Sequence, residues 1–453
     1  IAVYSNMPQT AKFECGHSGI NQLFSNAVWS MKGNFLEIPT DCPTRERTGF
    51  TGDAQVFVNT GMYLMECYPV YRKFLNELRA VKRDVSQTAP SGKGHLFDGS
   101  AGWSDAIDLI PWRMYLRYGN QDILKENYEK IKEWLDFSLK RAKEDNPGRV
   151  RGKDDKYYSY LLDTGWHWGE WIEPDWNGFI SGEDPGGAYL RDIHDHGAPE
   201  VCTAHLSYGC QIAAEVAQLL GRKEEADYYC EMRRLTKLAY REACMENGRM
   251  KQKRQCDYVH AVMFDMITDE EKKTTCDELN EMIVENGFHL NTKFLSTCEL
   301  LRVLSDYGHA DTAWSLMLQD TYPGWLYQLK YHATTIWEDW KGMEEGKEPK
   351  DSMNHYSFGT FAGWLMDRAA GIRVEEGKIQ ICPVPDRRIG YVKAVYDSPL
   401  GEIRSSWEYV DALFRLEVEI PPNVTAEVIM PDGTRHEAGA GIHVYEIAGE
   451  SVD

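Results

Sequence analysis

The sequence predicts a mainly α-helical fold, a barrel of helical hairpins followed by a small antiparallel β-domain. Three observations carry this. Apolar residues recur at helical spacing in consecutive paired segments as far as residue 372. Thirteen of the 14 tryptophans lie before residue 373, and only Trp407 lies after it. Beyond Ile372 the pattern turns to short runs of period two, broken by turn residues. At about 150 residues per domain, 453 residues suit roughly three domains, or one large domain and a small one. A four-helix bundle would be smaller than the helical part, and no fixed-period repeat supports a solenoid.

Taken in order, residues 1–5 read as a lone strand left over from an upstream β-domain. The expected division is therefore 1–13 as terminal strand and linker, 14–372 as barrel and 373–453 as β-domain. Trp29 lies on an apolar helical stretch and is expected in the core. Residues 125–143 place Tyr128, Ile131, Trp134, Leu135 and Leu139 on one helical face. Segments 200–220 and 223–244 form a helix pair around Gly221, a C-cap signal. Residues 295–318 form another pair, broken near Asp306, Tyr307 and Gly308, and 353–370 closes the series before Gly371. The stretch 146–199 reads as a long irregular connection rich in Gly, Pro, Asp and Trp, and such loops are usually functional. Among the strands, residues 415–420 alternate polar and apolar strictly, 378–382 and 426–430 are similar, and Pro431-Asp432-Gly433 marks a turn.

Composition removes several function classes. Lys plus Arg is 50 against Asp plus Glu 71, a net charge of −21. A phosphate backbone or an anionic membrane would be repelled. Without an apolar run near the roughly 20 residues that span a bilayer, a membrane protein is not expected. The 11 cysteines are scattered, with no Cys-x-x-Cys pair, and read as reduced, buried thiols. Residues 1–9 show no signal-peptide pattern. A cytoplasmic setting is the expectation, and self-association is left open. His194, Asp195, His196 and His205 lack the spacing of a helical zinc site, so no metal is expected. There is no Gly-x-Ser-x-Gly elbow, phosphate-binding loop or dinucleotide fingerprint.

Five constellations could carry chemistry. The first, 41–55, holds Asp41, Arg45, Glu46, Arg47 and Asp53 in a loop broken by Pro43, Gly49 and Gly52. Apolar flanks place it at the mouth of a core, where the arginines can fix or ionise the carboxylates. The second is Trp337-Glu338-Asp339-Trp340, a carboxylate between indoles that could stack on sugar rings. The third is Gly102-Trp103-Ser104-Asp105. The fourth is 165–171, with Trp166, Trp168, Glu170 and Trp171. The fifth is Asn354-His355-Tyr356 at a helix start, where a His is more often a cap than a catalytic group. For each, ordinary aromatic core or solvated turn is the competing explanation.

Together these residues resemble glycoside hydrolase family 78, the α-L-rhamnosidases. The 41–55 loop is similar to the shorter form of the family's signature loop. Trp103-Ser104-Asp105-Ala106 is similar to its Gly-Trp-x-Asp-Ala element, and the run 304–340 and Asn354-His355-Tyr356 follow in family order. The resemblance implies an (α/α)6 barrel, a C-terminal β-sandwich and upstream β-domains. It implies inverting hydrolysis of terminal α-L-rhamnosides, with Glu46 as general acid and Glu338 as general base and no cofactor. It implies that Asp41, Arg45 and Asp53 bind rhamnose hydroxyls, that Trp103, Trp337 and Trp340 wall the pocket, and that His355 contacts the sugar. Phe50, Asp105, Trp168 and Trp171 complete the expected substrate-binding set. Phe50 stands where the family usually has Trp, His332 where it has Gly, and Asp339 where it has Arg. A polysaccharide lyase on a similar barrel would instead centre on Tyr, His and Arg. A non-catalytic sugar binder would not need both glutamates.

Overall fold

The computed structural model describes residues 4–80, 99–144, 157–163, 167–174, 176 and 184–448. Among these, six helical segments close into an inner ring. They are α2 (Thr51–Leu64), α4 (Ala106–Tyr118), α7 (Pro199–Leu219), α9 (Gln255–Met263), α11 (Phe294–Asp306) and the short turns 357–369, including α13 (Phe361–Trp364). Each packs on the next, and the last returns to α2. The outer layer is α1 (Ser18–Asn34), α3 (Tyr68–Ala80), α5 (Asp122–Glu144), α8 (Lys223–Cys244), α10 (Asp269–Glu285) and α12 (Ala310–Leu318). This is the predicted (α/α)6 barrel.

The two layers differ in the way their positions dictate. In α2, which has neighbours on all sides, nearly every residue is buried, including Asp53 and Thr60. In α5 only one stripe is buried, through Ile123, Leu124, Tyr128, Ile131, Trp134, Leu135 and Leu139, with charges on the other face. Gly221 (φ 75°) and Gly308 (φ 91°) take the left-handed conformation that ends α7 and α11. The sequence reading needs two changes here. The 146–199 stretch contains a helix, α6 (Pro185–His196), started by Pro185 and capped by Asp184, whose Oδ2 accepts the Gly187 N–H at 2.9 Å. The last inner segment begins at Ser357, not Met353, because His355 is drawn into the wall of a cavity.

The C-terminal part is a pair of sheets. One holds β1 (Ala11–Cys15), β6 (Tyr391–Ser398), β7 (Gly401–Val410), β8 (Leu413–Ile420) and β11 (Gly441–Ala448), all antiparallel. The other runs β10 (Arg435–Ala438), β9 (Ala426–Ile429), β5 (Lys378–Ile381), β4 (Ile372–Glu375), with β5 and β9 parallel rather than antiparallel. The N-terminal strand is therefore Ala11–Cys15, paired with Tyr391–Ser398 as an edge of this domain. Tyr4 and Ser5 lie outside any strand, and residues 1–3 lie outside the described residues. A second hairpin, β2 (Met245–Glu246) and β3 (Arg249–Met250), follows α8.

Buried polar contacts seat the sheets on the barrel. Tyr396 Oη donates to the Met62 carbonyl at 3.0 Å and accepts from Arg117, whose guanidinium lies 3.8 Å from the Tyr63 ring centroid. Trp407 Nε1 donates to the Ala369 carbonyl at 2.8 Å. Trp29, expected in the core, is 57% exposed. The buried face of α1 runs through Ile20, Leu23, Phe24, Ala27, Val28 and Met31, and Trp29 falls outside that stripe with Lys32 over its ring. No helix among the described residues is long and apolar enough to cross a membrane.

Candidate active site

The inner helices α2, α4 and α11 present their N-termini to one end of the barrel, and the loops that enter them meet there. These loops surround a small cavity of about 120 Å³. Asp41, Glu46, Phe50, Asp53, Trp103, Trp168, Trp171, Phe294, Glu338 and His355 line it.

The 41–50 loop is closed by its own polar groups. Asp41 Oδ1 accepts the Thr48 N–H at 2.7 Å, and the Asp41 N–H donates to the Thr48 carbonyl at 3.0 Å. The Cys42 thiol donates to Asp41 Oδ2 at 2.7 Å while its sulfur accepts the Glu46 N–H at 3.3 Å. Arg47 takes a left-handed conformation (φ 57°). The result presents Glu46 at the exposed mouth and buries Asp41 beneath it. Gly52 is required where the loop enters α2: a Cβ there would lie 2.6 Å from the Trp103 ring.

Across the cavity, Glu338 Oε2 accepts the Ser352 N–H at 2.8 Å, and its own N–H donates to the Ser352 carbonyl at 3.0 Å. Arg45 joins the two loops: its guanidinium is 3.0 Å from Asp351 and 4.0 Å from Glu338. At the floor, Asp53 Oδ1 is 3.1 Å from both His355 Nε2 and the Ser357 hydroxyl. The His355 ring stacks on Phe294 at 5.1 Å. On the remaining side, Trp168 meets Trp103 at 6.0 Å, Phe50 edge-on at 6.4 Å and Trp171 edge-on at 5.1 Å.

The electrostatics follow from this crowding. Burial and the Asp53 charge raise the Asp41 carboxyl above its usual range, against the Cys42 and Thr48 hydrogen bonds. Burial alone would lower His355, but the hydrogen bond and charge of Asp53, with Glu338 and Asp41, raise it. Burial lowers Lys293, next to the cavity, although Asp339 opposes the shift.

Some expected contacts stand behind the cavity surface. Asp105 accepts from Trp134 Nε1 at 2.9 Å and from the Gly102 N–H, which fixes the Trp103 turn; burial pushes its pKa up to about 6. Trp340 stacks on Phe358 at 4.0 Å and donates to the Thr292 carbonyl. Trp337 is buried and faces Tyr331 at 6.2 Å. Asp105, Trp337 and Trp340 are thus not among the residues that line the cavity. Arg45 belongs to the rim. Gly165 and Trp166 lie outside the described residues.

Of the departures noted in the sequence, Phe50 lines the cavity. His332 is exposed and left-handed (φ 58°), a conformation that favours glycine. Asp339 is held between Lys350 at 2.9 Å and Lys293 at 3.6 Å. The sequence reading missed Phe294, since an apolar residue opening a helix looks like core. His194 and His196 pair with Asp195 and Asp192, and His205 is buried against Phe264. No group of three or more metal-ligating side chains occurs among the described residues.

Residues 8–369 match the model of the bacterial α-L-rhamnosidase six-hairpin glycosidase domain, and 377–444 match that of the bacterial α-L-rhamnosidase C-terminal domain. An α-L-rhamnosidase of Formosa agariphila is 33% identical over 446 residues, covering 95% of this chain and 45% of that protein. The structure of the Streptomyces avermitilis α-L-rhamnosidase complexed with L-rhamnose superposes with a TM-score of 0.84 at 29% identity, covering 98% of this chain and 43% of that one. The native enzyme from Aspergillus terreus gives 0.87 at 28% identity, covering 99% and 51%. The chain therefore spans about half the length of these relatives.

Proposed function

The chain belongs to the bacterial α-L-rhamnosidase six-hairpin glycosidase family, and from that premise we propose that it removes terminal α-L-rhamnose from rhamnosides with inversion at the anomeric carbon. The observation that carries the reading is the meeting of Glu46 and Glu338, from loops nearly 300 residues apart in sequence, in one aromatic-lined cavity.

Glu46, at the open mouth, is assigned as the acid. It gives its proton to the glycosidic oxygen as the bond from that oxygen to the anomeric carbon breaks. Glu338 is assigned as the base. It takes a proton from a water whose oxygen attacks the same carbon from the opposite face. Asp41 and Asp53 are acceptors for sugar hydroxyls, and His355 faces the sugar from the floor while its Nε2 holds Asp53 and its Nδ1 accepts the Ser357 N–H. Phe50, Trp103, Trp168 and Trp171 offer apolar faces to the ring and the 6-methyl group. Arg45 steadies the rim between the two carboxylate loops. We place the protein in the cytoplasm, supported by its 11 free thiols.

Proton NMR of an aryl α-L-rhamnoside digest tests the proposal. The β-anomer of L-rhamnose should appear first. An α-anomer appearing first would overturn the inverting mechanism, and no hydrolysis across a panel of α-L-rhamnosides would overturn the substrate assignment.

A further inference from the structure

The aromatic side of the cavity rests on a buried carboxylate that does not line it. Glu170 sits between Trp168 and Trp171 in sequence and is only 1% exposed. Its Oε2 accepts the Ser296 hydroxyl at 2.7 Å, the Ser296 N–H at 3.2 Å and the Lys293 N–H at 3.3 Å. Its Oε1 meets His260 Nε2, and its own N–H donates to Tyr189 Oη at 3.1 Å. These partners belong to α6, α9 and the start of α11. The carboxylate thus caps α11, where the open N–H groups and the helix dipole favour an anion. Phe294, the first residue of that helix, stacks on His355.

The turn needs such an anchor. Trp171 (φ 65°) and Ile172 (φ 63°) are both left-handed, which a bulky and a β-branched residue adopt only where the surroundings impose it. Gly169 is also left-handed, and a Cβ there would lie 2.8 Å from Tyr189 Oη. A carboxylate receiving charge-assisted hydrogen bonds is the strongest tie available at that point.

We propose that Glu170 is a positioning residue: it locks the 168–171 turn onto the N-terminus of α11 and so sets sugar affinity without touching the sugar. The inference rests on the rhamnosidase reading for its substrate, but not for its packing.

The test compares Glu170→Ala, Glu170→Gln and Ser296→Ala with wild type on an aryl α-L-rhamnoside, with folding checked by thermal melts. Glu170→Ala should raise KM about tenfold, equivalent to ~1.4 kcal/mol, with a smaller loss in kcat. Glu170→Gln should lose less, because its amide oxygen still accepts from Ser296 and Lys293. Adding Trp168→Ala to Glu170→Ala should multiply KM by less than Trp168→Ala does alone, since the wall is already loose. KM within twofold of wild type in folded Glu170→Ala, or fully multiplicative effects, would overturn the proposal. If the alanine variant does not fold, unchanged KM in both Glu170→Gln and Ser296→Ala overturns it instead. Near-ultraviolet circular dichroism reads the tryptophan packing without substrate. An inactive wild type would sink the rhamnosidase reading, whereas an unaltered tryptophan band in Glu170→Ala would sink this one.

Discussion

Replacing both His355 and Asp53 should destabilise the protein by clearly less than the sum of the two single replacements. His355 and Asp53 have side chains 3% and 4% exposed, with Nε2 and Oδ1 3.1 Å apart. Breaking a buried pair by removing one partner typically costs about 3–5 kcal/mol, because the other charge is left behind. Here Asp53 would keep the Ser357 hydroxyl and the unfavourable proximity of Asp41. Asp53→Asn removes that proximity, so the double variant should recover roughly 1.5–3 kcal/mol relative to the sum of the singles. The sign with pH follows from the raised His355. A group whose folded pKa lies above its unfolded value of 6.5 contributes stability that is fully present below that value. That contribution is lost as pH rises through the folded pKa. The gap between wild type and His355→Gln should therefore be widest below pH 6.5 and narrow above it. Chemical unfolding followed by tryptophan fluorescence at several pH values measures both effects. Additivity of the two single changes within about 0.5 kcal/mol, or a gap that widens with pH, would refute the reasoning.

Two further outcomes follow from the cavity. Glu46→Gln should slow hydrolysis of a rhamnoside with a poor alcohol leaving group by about 10²–10⁴-fold and an activated phenyl rhamnoside much less, whereas Glu338→Gln should slow both alike. Steady-state rates on the two substrates decide this, and near-wild-type turnover in both folded variants would remove the acid–base assignment. Trp168→Ala should weaken L-rhamnose binding in a calorimetric titration, while Trp29→Ala, at an exposed position, should leave binding unchanged and shift stability by no more than about 0.5 kcal/mol. Equal losses of affinity in the two variants would contradict the aromatic wall.

What the sequence could and could not reveal divides along physical lines. Helix pairs were legible because an amphipathic stripe and a left-handed glycine are local signals, as at Gly221 and Gly308. The charged loop at 41–55 was legible because carboxylates and arginines between apolar flanks are costly to leave without purpose. The strand at Ala11–Cys15 was not, although Ala11, Phe13 and Cys15 alternate, because its partner lies some 380 residues away. Trp29 could have been placed correctly: Ile20, Leu23, Phe24, Ala27, Val28 and Met31 already define a stripe that excludes it. Trp337 and Trp340 flank Glu338 in sequence, yet both are buried and neither lines the cavity. Glu170 gave no signal beyond its tryptophan neighbours, because its partners Ser296 and His260 come from distant helices.

The cavity gathers carboxylates where the barrel makes them cheapest to hold. Asp53 lies in the first turn of α2, Asp105 precedes α4 and Glu170 caps α11. Each sits at the positive end of an inner helix, which favours negative charge within about one turn. That field is not enough for all of them at once. Asp41, outside any helix and facing Asp53, has its proton affinity raised, and His355 is driven to retain a proton between them. A rhamnoside carries no formal charge on its sugar, so this concentration of acids does not serve to attract it. Its consequence is that protons are retained within the cavity as pH rises. Glycoside hydrolysis needs one carboxyl that can give a proton and one that can take it, within a single water-accessible cavity. A ring of helix N-termini can carry such a crowd of acids, whereas the opposite end, lined by helix C-termini, would repel it.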